Sequence, residues 1–449
     1  MGLNSLLGQQ SASTAFQAGL RRLTVGFSLL WLSAANLVGL WLALLLAWPE
    51  IGALSGPVGY GRWMALHLNW QLYGWCSLPA VGVLLNRWLP RRPSSLGLAR
   101  SAFGLWSWVL ALGGVWWLRG ESSGKLFLDW AGFARICFVA ILAGLWGMLA
   151  LVLFRRRQKR DAGEESEAVV RAPSVLDGLV LAALGAVPPA IWIATRPQLY
   201  PPINPMSGGP TGTNLLGSTL AVLLILGLLP RFLEIPCRNR RVGGLFWGWF
   251  VTESLLYLFL GHGDQSNEDG KQIVGLASLL VWIPLLPLYL HYCGWDARCR
   301  LWGISFAGWW TALVLTGFVF FLPGFLDAAK FSHLLVAHAH IAMAGVLTSL
   351  NMLLLLQLGA GIPGDPGRLG EPVRFFLWHA GLLVHLLALG VVGWNEAQTP
   401  GWLWNHSAEV HRLYWLRVGA GTCMAAVSLS WLLALLYGEG VSRNDAVSV

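Results

Sequence analysis

Charge is scarce in this chain. Only 11% of its 449 residues are Asp, Glu, Lys or Arg, against 56% hydrophobic residues, and a soluble domain of that length has too little interior to hide so much apolar surface. That excludes an ordinary soluble enzyme and points to an integral membrane protein. Cysteine is scarce too: there are six, scattered, and no C-x-x-C-H run marks a covalently attached haem. Cys293 and Cys299 flank a short loop on the side assigned below to the cytoplasm, where no disulfide is expected. The first apolar run lacks a short h-region and an A-x-A-like site, so it reads as a permanent helix and not a signal peptide. MGLNSL has Leu6 where a myristoylation signal wants Ser or Thr. No convincing internal repeat is visible, which argues against a secondary transporter built from two halves.

What the chain does have is long apolar runs, at about 22–48, 63–90, 101–118, 132–154, 174–195, 213–233, 243–262, 272–293, 301–323, 332–357, 373–394 and 411–437. Most reach the ~20 residues a helix needs to cross the hydrocarbon. The expected fold class is therefore all-α: a polytopic bundle of about twelve transmembrane helices in contact with membrane lipid. About 21 of the 30 lysines and arginines fall at the N-terminus, in every second loop and at the C-terminus. Cytoplasmic loops keep positive charge, so both ends are expected in the cytoplasm. The net charge of +9 is then mostly topology, and no nucleic-acid partner is expected.

The organisation expected is a cytoplasmic N-terminal segment (1–20), a single transmembrane domain (21–437) with a charged, solvated cytoplasmic loop inside it (155–172, RRRQKRDAGEESEAVVR and its neighbour), and a cytoplasmic tail (438–449). YPPINPMSGGPTG (200–212) is too rich in Pro and Gly to be helical throughout. Many of the 27 tryptophans stand near span ends, where an amphipathic ring anchors a helix at the interface.

The chemistry lies in HLLVAHAHIAMAG (333–345), which sets three histidines in a run otherwise suited to lipid. A buried imidazole must be satisfied by a neighbour, open to a water-filled cavity, or bound to something. Successive helical residues turn by ~100°, so His338 and His340 point about 200° apart and cannot share one metal. They could serve two, one on each side of a single helix. The second span carries a lone histidine, His67, at a similar depth from the outer surface. Two neutral imidazoles opposed across a planar macrocycle make a six-coordinate haem iron, and the remaining histidine of the pair could hold a five-coordinate haem. Buried, satisfied histidines with no ligand are the alternative reading.

HLNWQLYGWCSLP (67–79) together with HAHIAMAG (338–345) resembles the catalytic subunit of the haem-copper oxidase superfamily, closest to the cbb-type cytochrome c oxidases and the nitric oxide reductases. LPRFLEIP (229–236), the LYLFLG end of span seven and YWLRVGAG (414–421) are similar to the same pattern. The resemblance implies His67 and His340 as axial ligands of a low-spin haem, and His338 as proximal ligand of a high-spin haem. It implies two haems of b type, an external electron donor such as a c-type cytochrome or quinol, O2 or NO as the gas bound or reduced, possible partner subunits, and a bacterial inner membrane.

The departures fall at the distal metal. Where the family holds copper or non-haem iron with three histidines, this chain has Thr213, Gly263 and Asp264, which puts a distal copper in doubt. Tyr257 stands where cbb-type enzymes place an active-site tyrosine. His262 and Asp264, with Glu268 and Asp269, make a small acidic cluster whose ligand hardness would suit iron, manganese or zinc better than Cu(I); a solvated loop is the plainer reading. Glu253 sits mid-membrane and is a proton-path candidate. Arg412 and Arg417 could pair with haem propionates. His379 and His385, and the span-end histidines His291, His406 and His411, receive no ligand role. His333 could line a haem edge.

Three functions follow as expectations: an oxidoreductase that passes electrons from low-spin to high-spin haem and on to O2 or NO; a non-catalytic haem protein, such as a gas sensor, a haem or metal handler or an accessory subunit, that lost the distal site; and a transporter whose histidines relay protons without haem.

Overall fold

In lipid a chain satisfies its backbone internally, and long apolar runs do so as helices. The computed structural model describes residues 3–125, 128–162, 173–196, 215–260, 270–360, 368–399 and 401–437. In chain order the helices are α1 (Leu3–Ala47), α2 (Tyr60–Asn69), α3 (Leu78–Trp88), α4 (Ser95–Arg119), α5 (Gly132–Asp161), α6 (Val175–Gly185), α7 (Val187–Ala194), α8 (Leu215–Phe232), α9 (Arg240–Leu260), α10 (Gly270–Ser278), α11 (Trp282–His291), α12 (Arg300–Phe320), α13 (Phe325–Ala329), α14 (His333–His340), α15 (Thr348–Leu358), α16 (Pro372–Gln398), α17 (Trp402–Asn405) and α18 (Ser407–Tyr437). The only extended pairing among the described residues is one antiparallel bridge, Cys237 with Cys293.

Ten helical stretches among the described residues are long and apolar enough to cross a membrane. Of the two other expected spans, the second is helical from α2 through a π-helical segment (Trp70–Cys76) into α3, and the sixth is the 18-residue α8. The chain is thus an all-α, polytopic membrane protein.

Local structure departs from expectation in three places. α1 starts at Leu3, so the expected N-terminal segment continues the first helix. α5 runs to Asp161 and carries the basic run from Arg155 as its last turns, where cations meet the helix's C-terminal carbonyls favourably; residues 163–172 of the expected loop, and 200–212, lie outside the described residues. Tryptophan is as much an interior residue as an interfacial one. Trp75, Trp88, Trp117, Trp130, Trp282, Trp302, Trp378 and Trp431 are fully buried. A buried indole needs an acceptor for its N–H, and Trp88, Trp117, Trp282 and Trp302 donate to Asp177, the Asp129 carbonyl, Glu253 and the Leu369 carbonyl.

By contact the described residues form two compact units, the first drawn from residues 1–35, 58–201 and 358–366, the second from 36–57, 202–357 and 367–449. An aromatic cluster fills the first: Trp130 stacks on Phe138 with centroids 4.0 Å apart, and Tyr73, Trp106 and Trp117 meet these rings edge-on. Lys125, in the loop after α4, donates to the carbonyls of Ala194 and Arg196 and so caps the end of α7. Burial against those carbonyls lowers the Lys125 ammonium from its ordinary range. In the second unit α12, α14, α16 and α18 pack in succession.

A buried ion pair ties α3 to α6. Arg87 reaches Asp177 twice, Nε to Oδ1 at 3.0 Å and Nη2 to Oδ2 at 2.9 Å. Trp88 Nε1 donates to Oδ1 at 3.0 Å, and the Ser174 amide and hydroxyl donate to Oδ2, both at 2.7 Å. Asp177 Oδ2 and the Ser174 hydroxyl thereby form a capping box on α6. Every carboxylate lone pair is engaged, which is the condition under which a buried charge is tolerated. Removing the cation alone should be costly: Arg87→Ala is expected to destabilise the first unit by about 3–5 kcal/mol. Thermal unfolding in detergent checks this, and a melting temperature equal to wild type would refute the role of the pair.

Candidate functional site: the histidine-bearing helices

His67 and His338 occupy the same local frame. His67 lies three residues before a π-helical segment, Trp70–Cys76, and His338 three residues before another, Ile341–Leu347. The fifth residue of each is glycine, Gly74 and Gly345, and a Cβ there would lie 2.6 Å from Trp31 Cβ in the first case and 2.8 Å from the Trp309 ring in the second. The residue after each segment is hydroxylic. Ser77 donates to the Leu72 carbonyl at 2.8 Å and Thr348 to the Met343 carbonyl at 3.1 Å, each five residues back. Widening one turn loosens the regular i to i−4 ladder, and a hydroxyl reaching back takes up an acceptor inside the segment. In sequence the shared frame is His, six residues, Gly, two residues, Ser or Thr: HLNWQLYGWCS against HAHIAMAGVLT.

Each imidazole is held at Nδ1. His67 Nδ1 lies 2.8 Å from the Ala35 carbonyl of α1, and His340 Nδ1 lies 2.8 Å from the Val336 carbonyl one turn back. A carbonyl only accepts, so both rings carry their proton on Nδ1 and the lone pair on Nε2. For His338 the partner is the Thr316 hydroxyl on α12, at 2.8 Å. That hydroxyl also lies 2.7 Å from the Ala312 carbonyl, so it can give its proton to that carbonyl and accept from His338 Nδ1–H, or donate to Nδ1 itself. His67 and His340 therefore carry the Nε2 lone pair, the tautomer a metal ligand requires, and the contact of His338 with the Thr316 hydroxyl is compatible with it. His379 is the contrast: its Nδ1 accepts from Trp309 Nε1 at 3.2 Å, which places the proton on Nε2.

The opposed directions expected of His338 and His340 are observed within the second unit. His338 turns to α12, where its ring lies 5.2 Å from Phe320 and beside Gly317. His340 turns to α16, its ring 4.7 Å from that of His385. All three candidate ligands are half-buried, and Ala339 and Ala342 beside them are half-buried too, while Thr348–Leu356 of the same rod are buried without a break. The histidine-bearing end is thus the loosely packed end.

The rod starts on a close backbone approach. A Cβ on Gly393 of α16 would fall 2.2 Å from the Leu334 amide nitrogen, and three residues on, Glu396 accepts from the His333 amide at 2.8 Å and pairs with His333 Nδ1 at 2.7 Å. The His333 ring lies 6.0 Å from Tyr414, over which Arg417 sits at 5.4 Å. Arg417 is buried and Arg412 exposed. From the sequence alone His385 receives no ligand role and Glu396 is passed over; an acidic residue closing an apolar run, in GWNEAQ, is the available signal for Glu396.

Tyr257 packs its ring over Gly217 of α8, where a Cβ would come within 2.7 Å of the hydroxyl. Glu253, fully buried one turn earlier, accepts from the Ser278 hydroxyl at 2.7 Å and from Trp282 Nε1. Thr213, His262, Gly263, Asp264, Glu268 and Asp269 lie outside the described residues. Among the described residues no group of three or more His, Cys, Asp or Glu side chains could hold a metal ion, so any metal at the three histidines would need ligands beyond such a cluster. Comparison with protein-family models and with curated proteins returned no match.

Gly393→Ala drives a methyl into backbone, which cannot rotate away, and is expected to cost at least the ~1–3 kcal/mol of ordinary overpacking. Gly390→Ala on the same helix meets nothing within 4 Å and should behave as wild type. Folded yield and melting temperature of the two variants check this; equal behaviour would mean that α14 does not depend on the close approach.

Proposed function

We propose that the chain is a haem-copper oxidase-like dihaem protein of twelve membrane crossings, with both termini in the cytoplasm of a bacterial inner membrane. The observation that carries the reading is the tautomer. His67 and His340 each have Nδ1 satisfied by a carbonyl that leaves the lone pair on Nε2, and His338 Nδ1 lies against a hydroxyl able to accept from it; this donor set fits haem iron. In this reading His67 and His340 are the axial ligands of a low-spin haem and His338 is the proximal ligand of a high-spin one. Haem held in these two ways supplies one-electron transfer at the six-coordinate iron and gas binding at the five-coordinate iron.

The protein's own residues do the positioning. The Ala35 and Val336 carbonyls and the Thr316 hydroxyl orient the rings and raise their basicity at Nε2. Arg417 of α18, buried near the start of α14, and Arg412, exposed on the same helix as Arg417, are the cations proposed to pair with propionates. Glu253 is a buried group able to hold a proton, with a serine hydroxyl for its neighbour.

The activity proposed is binding of O2 or NO. Turnover would need a second metal to take up charge as the gas is reduced, and Thr213, Gly263 and Asp264 stand where the resemblance puts its histidines. That substitution favours the second reading, a gas-sensing, haem-handling or accessory protein that kept the haem scaffold without the reaction centre. Consumption of O2 or NO by the purified protein with a reduced donor, a c-type cytochrome or quinol, separates the two.

Reduced-minus-oxidised spectra with and without CO test the ligand assignment. His338→Ala is expected to abolish the CO-sensitive signal, and His67→Ala and His340→Ala to remove the low-spin signal. His385→Ala should keep both, because His385 is a neighbour and not a ligand. Wild-type protein without a Soret band, or four variants with unchanged spectra, would sink the proposal. Thr316→Val is expected to weaken retention of the CO-binding haem by about 10–100-fold, the usual effect of losing a partner behind a metal ligand, with Thr316→Ser near wild type; haem loss during dilution measures it.

A further inference from the structure

Two cysteines from distant parts of the second unit are brought face to face. The connection after α8 and the connection after α11 pair through the single antiparallel bridge, with Arg238 N–H donating to the Tyr292 carbonyl at 2.9 Å and Gly294 N–H to the Pro236 carbonyl at 3.0 Å. These bonds flank Cys237 and Cys293 and are not made by them, so the two form the narrow, non-hydrogen-bonded type of pair, in which Cα atoms stand about 4.5 Å apart with side chains on the same face. That separation lies inside the range a disulfide spans. The Cys293 thiol donates to the Tyr289 carbonyl at 3.4 Å, one turn back. The thiols are not bonded to each other, and they differ in access: Cys237 is exposed and Cys293 is buried.

We propose that Cys237 and Cys293 form a reversible thiol–disulfide site, closed by an anionic low-molecular-weight disulfide such as glutathione disulfide. Arg238, Arg240 and Arg241, all exposed, follow Cys237 within four residues, and their charge attracts an anionic reagent to this segment. The exposed thiolate attacks one sulfur of the reagent, breaking its S–S bond, forming a mixed disulfide and releasing one reagent thiolate, which takes up the proton Cys237 gave up. Cys293, as thiolate, then attacks the Cys237 sulfur, forming the internal S–S bond and expelling the second reagent thiolate, which takes the Cys293 proton. Two protein thiols are oxidised, one external disulfide is reduced to two thiols, and no other reactant is needed. Burial raises the Cys293 thiol above its ordinary range, which suits it to the second, intramolecular step and not to the first.

Closure would tie the segment between α8 and α9 to the segment between α11 and α12. The positive-inside pattern puts both segments on the cytoplasmic side, where reducing thiols keep stable disulfides rare and the ones that form are transient and redox-sensing. Cys299 is buried, with its thiol turned to the Leu353 carbonyl and Gln357, so it is expected to take no part.

The test treats the purified full-length protein in detergent with glutathione disulfide, blocks remaining thiols with N-ethylmaleimide after denaturation, and maps the peptides by mass spectrometry. The expected result is loss of alkylation at Cys237 and Cys293 together, a Cys237–Cys293 linked peptide, and full recovery of both thiols with dithiothreitol. Cys293→Ser should stop the reaction at a glutathione adduct on Cys237, and Cys237→Ser should leave Cys293 fully alkylated. A wild-type protein that accumulates the adduct on Cys237 without the linked peptide, or that keeps both thiols, would overturn the proposal. None of these readouts depends on haem content.

Discussion

An imidazole has two nitrogens and, when neutral, one proton, and where that proton sits decides what the ring can do. For His67 and His340 the position is set by one hydrogen bond from Nδ1 to a carbonyl, which can only accept, and for His338 the partner is a threonine hydroxyl that accepts from Nδ1 when its own proton goes to its helix. Reverse that bond and the Nε2 lone pair is lost. The opposite arrangement occurs nearby, at His379, where an indole N–H points at Nδ1. Histidines in one helical protein thus differ in which ring nitrogen faces a donor and which an acceptor.

The π-helical turns are the second constraint. Inserting one residue per turn shifts the phase of everything beyond it, so a side chain before the segment and one after it no longer share the face a regular helix would give them. Here the device occurs twice, with a glycine that admits a tryptophan ring and a hydroxyl that reaches five residues back. In each case the helix that supplies the tryptophan also supplies the Nδ1 partner: Trp31 and Ala35 lie on α1, Trp309 and Thr316 on α12. Helix spacing and imidazole orientation are therefore fixed by the same neighbour, and a change that moves one moves the other.

Much of this was legible in the sequence because it is a matter of period and composition. Apolar run length gave the helices, and the ~100° turn gave the opposed directions of His338 and His340, which the structure shows turned to α12 and α16. What escaped was whatever depends on a partner far away in the chain. Glu396 meets His333 across 63 residues and Asp177 meets Arg87 across 90, and no local pattern predicts either. The buried tryptophans escaped because an interfacial and an interior tryptophan look alike until the acceptor for the indole N–H is known. The shared frame of His67 and His338 was present in the sequence, but it is a repeat of eleven residues and not of half the chain, so a search for related halves passes over it.

The Cys237 and Cys293 pair belongs to the same lesson. Spacing draws attention to Cys293 and Cys299, six residues apart, yet the backbone turns Cys299 inward to the α15 carbonyls and sets Cys293 against a residue 56 positions earlier. Two connections that must each reverse direction at the end of a helix satisfy their peptide groups on one another, and the narrow pair that results brings two thiols together with no involvement of the histidines. The chemistry at one end of these helices and the chemistry in their interior are separate consequences of one requirement, that a backbone leaving a helix in an apolar setting find partners for its polar groups: turning residues find each other, and widened turns find a serine or a threonine.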